Sequence, residues 1–382
     1  MSVVTRAPLW AQALCEDAEL AVRAVRLAAA PDVTPELVRR AMAALLDAAA
    51  PTSVEAVIGA LESELGPRGR LPDDAVTARA GQALAAAEAR LLLAGRPGYP
   101  SRLANAWPEL GAPPWVFIRR SGACALPDAA SVAVVGTRQP TLDGRRTATR
   151  LARLLARHGV VVVSGMARGI DQAAHYGALE GGGLTVGVLG TGFGVDYPHG
   201  DGALHERVAA SGGLVSELLP GVGPRPRHFP RRNRIVSGLA DATVVVEGRE
   251  RSGALQTARL AAAQGRDVLA VPGSLNQPTA RGPLDLIRDG AQPVTRLEDV
   301  LEALGIDPHP THTGAPACGP SQASLGPAAA AVLGRLGSVP AACGELAAVL
   351  HRPISEILAA AAELTGRGLA VSTARGLVLR PR

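Results

Sequence analysis

Six short runs between residues 132 and 273 set the strongest limit on how this chain can fold. They are VAVVG (132–136), VVVVSG (160–165), LTVGVLG (184–190), LVSE (214–217), ATVVVEG (242–248) and DVLAVPG (267–273). A strand with one wet face alternates apolar and polar residues. These runs stay apolar and end in glycine or a small polar residue, which predicts parallel strands buried on both faces. Helix-length amphipathic segments separate them, 143–157 and 252–264 among them. The pattern predicts an α/β fold, a doubly wound, mostly parallel, Rossmann-like sheet, with ligands outside the carboxyl ends of its strands.

The flanks read differently. Residues 1–75 read as a small helical domain, with Thr34 an N-cap before Pro35 and Thr52 with Glu55 fitting a capping box. The sheet domain takes 76–304. Residues 305–325, rich in Pro, Gly, Thr and Ser, read as a linker. Within 326–382, helices at 327–336, 344–351 and 355–366 precede LAVSTARGLVLR, a two-stranded wing, so the expectation is a winged helix. With 382 residues, 47% apolar and 19% charged, the chain has material for several cores. Cys15, Cys124, Cys318 and Cys343 form no C-x-x-C pair, which argues against zinc and a disulfide framework. The first twenty residues lack the pattern of a signal peptide, and no run reaches the length of a membrane span, so the expected location is the cytoplasm.

The sequence holds no lysine: all 39 basic residues are arginine, a planar fork suited to phosphate. Residues 131–300 carry 20 arginines against 15 acids, and the rest of the chain carries 19 of each. The net charge of +5 therefore sits in the sheet domain, where an anionic partner is expected.

Four strand ends carry the residues such a partner needs. Gly136, Thr137 and Arg138 follow the first run. Ser164, Gly165, Arg168 and Gly169 follow the second and open a helix whose N-terminus can hold an anion. Gly190, Thr191 and Gly192 follow the third, and Ser252 with Gly253 opens the helix after the fifth. A dinucleotide fits poorly, because GTRQPTLDG lacks the three glycines of G-x-G-x-x-G and the GTGFGV loop has Val195 where the third would fall. A P-loop needs lysine, and neither Ser164 nor Ser252 sits in G-x-S-x-G. No cofactor is expected. Asp171 and His175, four apart on one helix, lack a third ligand at readable spacing and read as a hydrogen-bonded structural pair rather than a metal site. Glu247, at a strand end, is a possible catalytic carboxylate, with an arginine partner the plainer role.

RPRHFPRRNR, residues 225–234, follows the fourth run and should emerge on the same edge. It gathers Arg225, Arg227, Arg231, Arg232 and Arg234 around Phe229, one of three phenylalanines in the chain. Pro224, Pro226 and Pro230 stiffen it and keep Arg225 and Arg227 out of a regular helix. A ring among cations suits a base stacked on Phe229 with phosphates held by arginines, the pattern of single-strand binders. A duplex would hide its bases and leave the ring idle.

Taken together, VAVVGTR (132–138), VVSGMARGIDQAAHYGAL (162–179), GTGFGVDYP (190–198), GGLVSE (212–217), HFPRRNRIVSGLADATVVVE (228–247), SGALQTARLA (252–261), GRDVLAVPG (265–273) and LIRDGA (286–291) resemble the DprA/Smf family, the DNA-processing proteins of natural transformation. YPSRL and APPWVFIRRSG (99–122) resemble its lead-in, and the resemblance covers roughly 95–300. It implies an extended Rossmann domain, an N-terminal sterile-alpha-motif-like or helix-hairpin-helix-like domain, and a C-terminal winged helix. It further implies binding of single-stranded DNA, loading of the RecA recombinase, homodimerisation through the Rossmann domain and no catalysis. Carried over by position, the DNA contacts are Gly136, Arg138, Gly165, Arg168, Gly190, the arginines of 225–234, Phe229, Asn233 and Ser252. Met166 stands where the family has Leu. Arg225 or Arg227 replaces a common lysine before HFP, and residues 1–75 show no clear hairpin glycines. Over residues 326–367, Arg335, Arg352 and Arg367 are balanced by Glu345, Glu356 and Glu363, so protein rather than DNA is the expected partner of the winged helix. The rival reading is a nucleotide-cleaving enzyme of the lysine-decarboxylase-like family, whose PGGxGTxxE string is absent here.

Overall fold

Alternate residues of single strands face opposite ways, and this lets one sheet serve two cores. The structure, a computed structural model, describes residues 7–48, 53–68, 70–105, 112–121, 126–307, 327–336, 341–366, 370–373 and 376–379. The strands of its large sheet are β1 (Arg90–Leu93), β2 (Trp115–Arg119), β3 (Ser131–Val135), β4 (Val161–Ser164), β5 (Thr185–Val188), β6 (Gly213–Ser216), β7 (Ala242–Val245), β8 (Asp267–Ala270) and β9 (Gln292–Pro293). Their order is β1-β2-β6-β5-β4-β3-β7-β8-β9. β3 to β9 are mutually parallel, whereas β1 and β2 run antiparallel at one edge. Val132 and Val134 pack with the helices Leu142–Arg157 and Ile170–Glu180 on one face. Ala133 and Val135 pack on the other face with residues of His228–Gly238 and Gly253–Ala263. All five β3 residues are buried, as a strand covered on both sides requires.

That second core does not stop at the sheet. It continues through Leu91, Phe117 and Ile118 into Leu14, Leu27, Ile58 and Leu61 of the N-terminal helices. Thr34 caps its helix as expected, its Oγ1 accepting from the Leu37 N–H at 3.2 Å. Thr52 lies outside the described residues, and the helix Val54–Leu65 is capped one residue later, by Ser53 Oγ accepting from Ala56 N–H at 3.3 Å.

The chain divides into two compact units, residues 1–308 and 309–382. From 308 on, the expected linker lies outside the described residues. The second unit has helices Pro327–Leu333, Cys343–Leu350 and Ile354–Gly366 and an antiparallel pair, β10 (Ala370–Thr373) and β11 (Gly376–Leu379). Val332, Leu346, Ile357, Ala360 and Leu364 form its core.

Candidate nucleic-acid interface

β3 is where the winding reverses. The chain moves outward through β4, β5 and β6, then returns to place β7 on the other side of β3. Loops leaving β3 and β7 diverge at such a point and leave a crevice between them. A cleft of about 700 Å3 opens there. Gly136, Thr137 and Arg138 line it from β3, Gly165 from β4, and Ser252 and Gly253 from the turn after β7. Pro224, Arg225, Pro226, Phe229, Arg232 and Asn233 supply a further wall.

Phe229 sits on the helix His228–Gly238, which begins despite the proline at 230. A proline in the first turn removes an N–H that has no intrahelical partner anyway. The ring is held by three neighbours. The Arg138 guanidinium lies 5.1 Å from its centroid, a cation–π distance. Tyr197 packs at 5.3 Å between centroids, tilted by 39°. Gly190 closes in from the loop after β5: a Cβ there would stand 2.7 Å from Phe229 Cδ1. Gly190, Thr191 and Gly192 therefore do not line the cleft; Gly190 braces its aromatic. Gly192 is needed for a different close approach, since a Cβ would fall 1.8 Å from the Leu219 carbonyl oxygen.

The arginines of the basic stretch separate by face. Arg225 is exposed at the cleft, while Arg227 is exposed outside its lining. Arg232 is buried at the cleft floor, donating Nη1 hydrogen bonds to the Gly165 and Val188 carbonyls, with Nε left unpaired. Burial lowers its pKa to about 10, with Asp171 opposing the fall, so it remains a cation at neutral pH. Arg231 and Arg234 turn away. Both bind the buried carboxylate of Glu217, Arg231 at 3.2 Å, and Arg231 Nη1 also reaches the Val33 carbonyl at 3.3 Å. Burial alone would raise the Glu217 pKa, but these two cations hold it below the ordinary carboxylate range. Arg231 and Arg234 are thus structural in this conformation. The charge of Glu217, ending an apolar strand close in sequence to five arginines, was the available signal for that clamp.

The loop after β4 also differs from expectation. The first turn of Ile170–Glu180 is already occupied: Asp171 accepts from Ala167 N–H at 3.3 Å, and Ile170 N–H donates to the Thr137 carbonyl at 3.2 Å. Gly169, at φ +90°, packs on that carbonyl, and Arg168 is exposed away from the cleft lining. Asp171 and His175 are not hydrogen-bonded to each other. Asp171 lines the cleft, and burial pushes its pKa up against the pull of Arg232. His175 Nδ1 instead meets Thr185 Oγ1 at 2.7 Å, and that hydroxyl donates to the Val162 carbonyl. The hydroxyl proton being committed, His175 must donate through Nδ1, leaving a bare Nε2 buried without a partner. Among the described residues Glu247 has no arginine partner; it accepts from Thr141 N–H at 3.0 Å, from Thr141 Oγ1 at 2.5 Å and from Gln277 Nε2 at 2.7 Å. Tyr197, Gln256 and Thr257 join the lining and were not expected from the sequence. Tyr197 stands in GVDYPHGD, a stretch without arginine, so the cationic surroundings that marked Phe229 in the sequence were missing there.

The sequence model of a family described as DNA recombination-mediator protein A matches residues 90–305, more than half of the chain. The chain belongs to that family. Among its relatives, the Bacillus subtilis protein named DNA processing protein DprA is 42% identical over 192 residues, half of this chain and 65% of that one. Protein Smf of Escherichia coli is 45% identical over 183 residues, 47% of this chain and 48% of that one. The matches thus span between about half and two thirds of these relatives' lengths. The X-ray structure of DNA processing protein A from Streptococcus pneumoniae superposes with a TM-score of 0.61 at 29% identity, covering 74% of this chain and 97% of that one. The match to the recombination-mediator family contains every residue that lines the cleft.

Proposed function

We propose that this chain is a non-catalytic, cytoplasmic single-stranded DNA-binding protein that shields incoming DNA and loads RecA recombinase onto it, in DNA uptake or recombination. One observation carries the reading: an aromatic pair, Phe229 and Tyr197, sits in a switch-point cleft beside Arg138, Arg225 and Arg232. Bases exposed in a single strand supply the ring's partner and phosphates supply the arginines'. Arg138, exposed and without an ion pair among the described residues, turns to a phosphate as a base takes its place on the ring. The family description supports the mediator role, and the names of the relatives support DNA as the partner. Homodimerisation through the sheet domain, and a winged helix in the second unit that contacts protein, belong to the same proposal. The enzyme reading is weaker, because Glu247 is committed to Thr141 and Gln277 rather than aimed into the cleft.

Fluorescence anisotropy with a labelled oligothymidine and the matching duplex, at two salt concentrations, tests this. The expected result is salt-sensitive preference for the single strand, weakened in Phe229→Ala by about 1–3 kcal/mol, the worth of one stacked base. Equal binding to duplex, indifferent to the alanine, would remove the reading.

A further inference from the structure

The cleft does not account for all the positive charge on this edge of the sheet. Beyond its Ser252 wall lies an open basin of about 650 Å3, outside the ends of β7 and β8, with Arg249, Arg251 and Arg281 on its rim. Glu250 is the acid that accompanies them, and Leu275, 76% exposed, lies among them. The two loops that carry these residues are joined. Gly248 N–H donates to the Thr279 carbonyl at 2.6 Å, and Gly282 N–H returns a bond to the Gly248 carbonyl at 2.9 Å. Ser252 N–H closes a turn on the Arg249 carbonyl at 3.0 Å, so the chain passes directly from basin to cleft. All three arginines are exposed, and among the described residues none has a side-chain ion pair or hydrogen bond.

We propose that a single strand seated in the cleft continues across the ends of β7 and β8, with Arg249, Arg251 and Arg281 neutralising its next phosphates. The inference rests on the reading under Proposed function and extends its footprint. A polyanion suits the basin better than a folded protein partner. The basin is concave, cationic by three to one, and continuous with a cleft that holds unpaired cations of its own. Leu275 offers an apolar surface to a sugar or base edge.

The test compares wild type with the triple variant Arg249→Gln, Arg251→Gln, Arg281→Gln on oligothymidines of about 6 and about 20 nucleotides, lengths near the short and long ends of known single-strand sites. For the long oligonucleotide, three lost phosphate contacts should make the log–log salt slope shallower by about 2. Binding of the short one should stay within about twofold, since it fills the cleft alone. The triple lysine variant should restore the long-oligonucleotide slope. Wild-type behaviour of the glutamine variant on the long oligonucleotide would overturn the proposal, as would equal weakening at both lengths or failure of lysine to restore the slope. If wild type binds neither oligonucleotide, the reading under Proposed function falls first.

Discussion

Phe229 and His175 show how a single side chain gains its role from what surrounds it. Phe229 is a half-buried ring whose orientation is fixed by a tyrosine, a glycine and a guanidinium, so little rotamer freedom remains to be lost when a base arrives. His175 is the opposite case, a buried ring kept neutral. Burial, then His205 and Arg232, push its pKa down to about 3. In the unfolded chain it titrates near 6.5, so below that pH the unfolded state binds a proton that the folded state refuses. Stability contributed by this residue is therefore flat above pH 6.5 and falls as pH drops from 6.5 toward 3, by up to about 1.4 kcal/mol per unit. His205 and His228, also depressed by burial, act in the same direction. Thermal unfolding should show a Tm that declines from pH 7 to pH 5. His175→Asn, which keeps a donor for Thr185, should have a lower Tm at pH 8 but a visibly flatter decline. An equally steep decline in the variant would assign the loss elsewhere.

At the scale of elements, the helix His228–Gly238 does most to organise the site, and its periodicity explains what the basic stretch concealed. Phe229, Arg232, Asn233 and Val236 recur at helical spacing and face the cleft, whereas Arg231 and Arg234, three apart, face Glu217. Removing the buried carboxylate in Glu217→Ala takes the shared counter-charge from Arg231 and Arg234 and should cost about 3–5 kcal/mol in chemical denaturation. A loss under about 1 kcal/mol would show that Arg231 and Arg234 find water or phosphate instead. Much of this architecture was legible from the chain. The six apolar runs are β3 to β8; β3 to β7 are buried throughout, and a strand buried on both faces leaves an apolar signature, whereas β8 begins exposed at Asp267. β1, β2 and β9 were not legible: the first two form an antiparallel pair at one end of the sheet, and the third is two residues long and ends in proline. The division of the arginines of 225–234 between cleft and Glu217 was hidden for a related reason. Charge density is visible in sequence, but the face of a helix that prolines disguise as a loop is not.

For the molecule as a whole, the placement of the candidate DNA surface separates the two units. Cleft and basin both belong to the first unit, so removal of residues 309–382 should leave single-strand affinity within about threefold and its salt slope unchanged. A drop of more than about tenfold would make the second unit a DNA reader. The helices before residue 90 are placed otherwise, since their leucines complete a core that the sheet shares. The ends of this chain therefore answer to different rules of descent. The tail is closed around its own leucines and can be traded for another module by recombination between genes. The head is joined to the sheet it covers, and its substitutions are accepted only in concert with those of its underside.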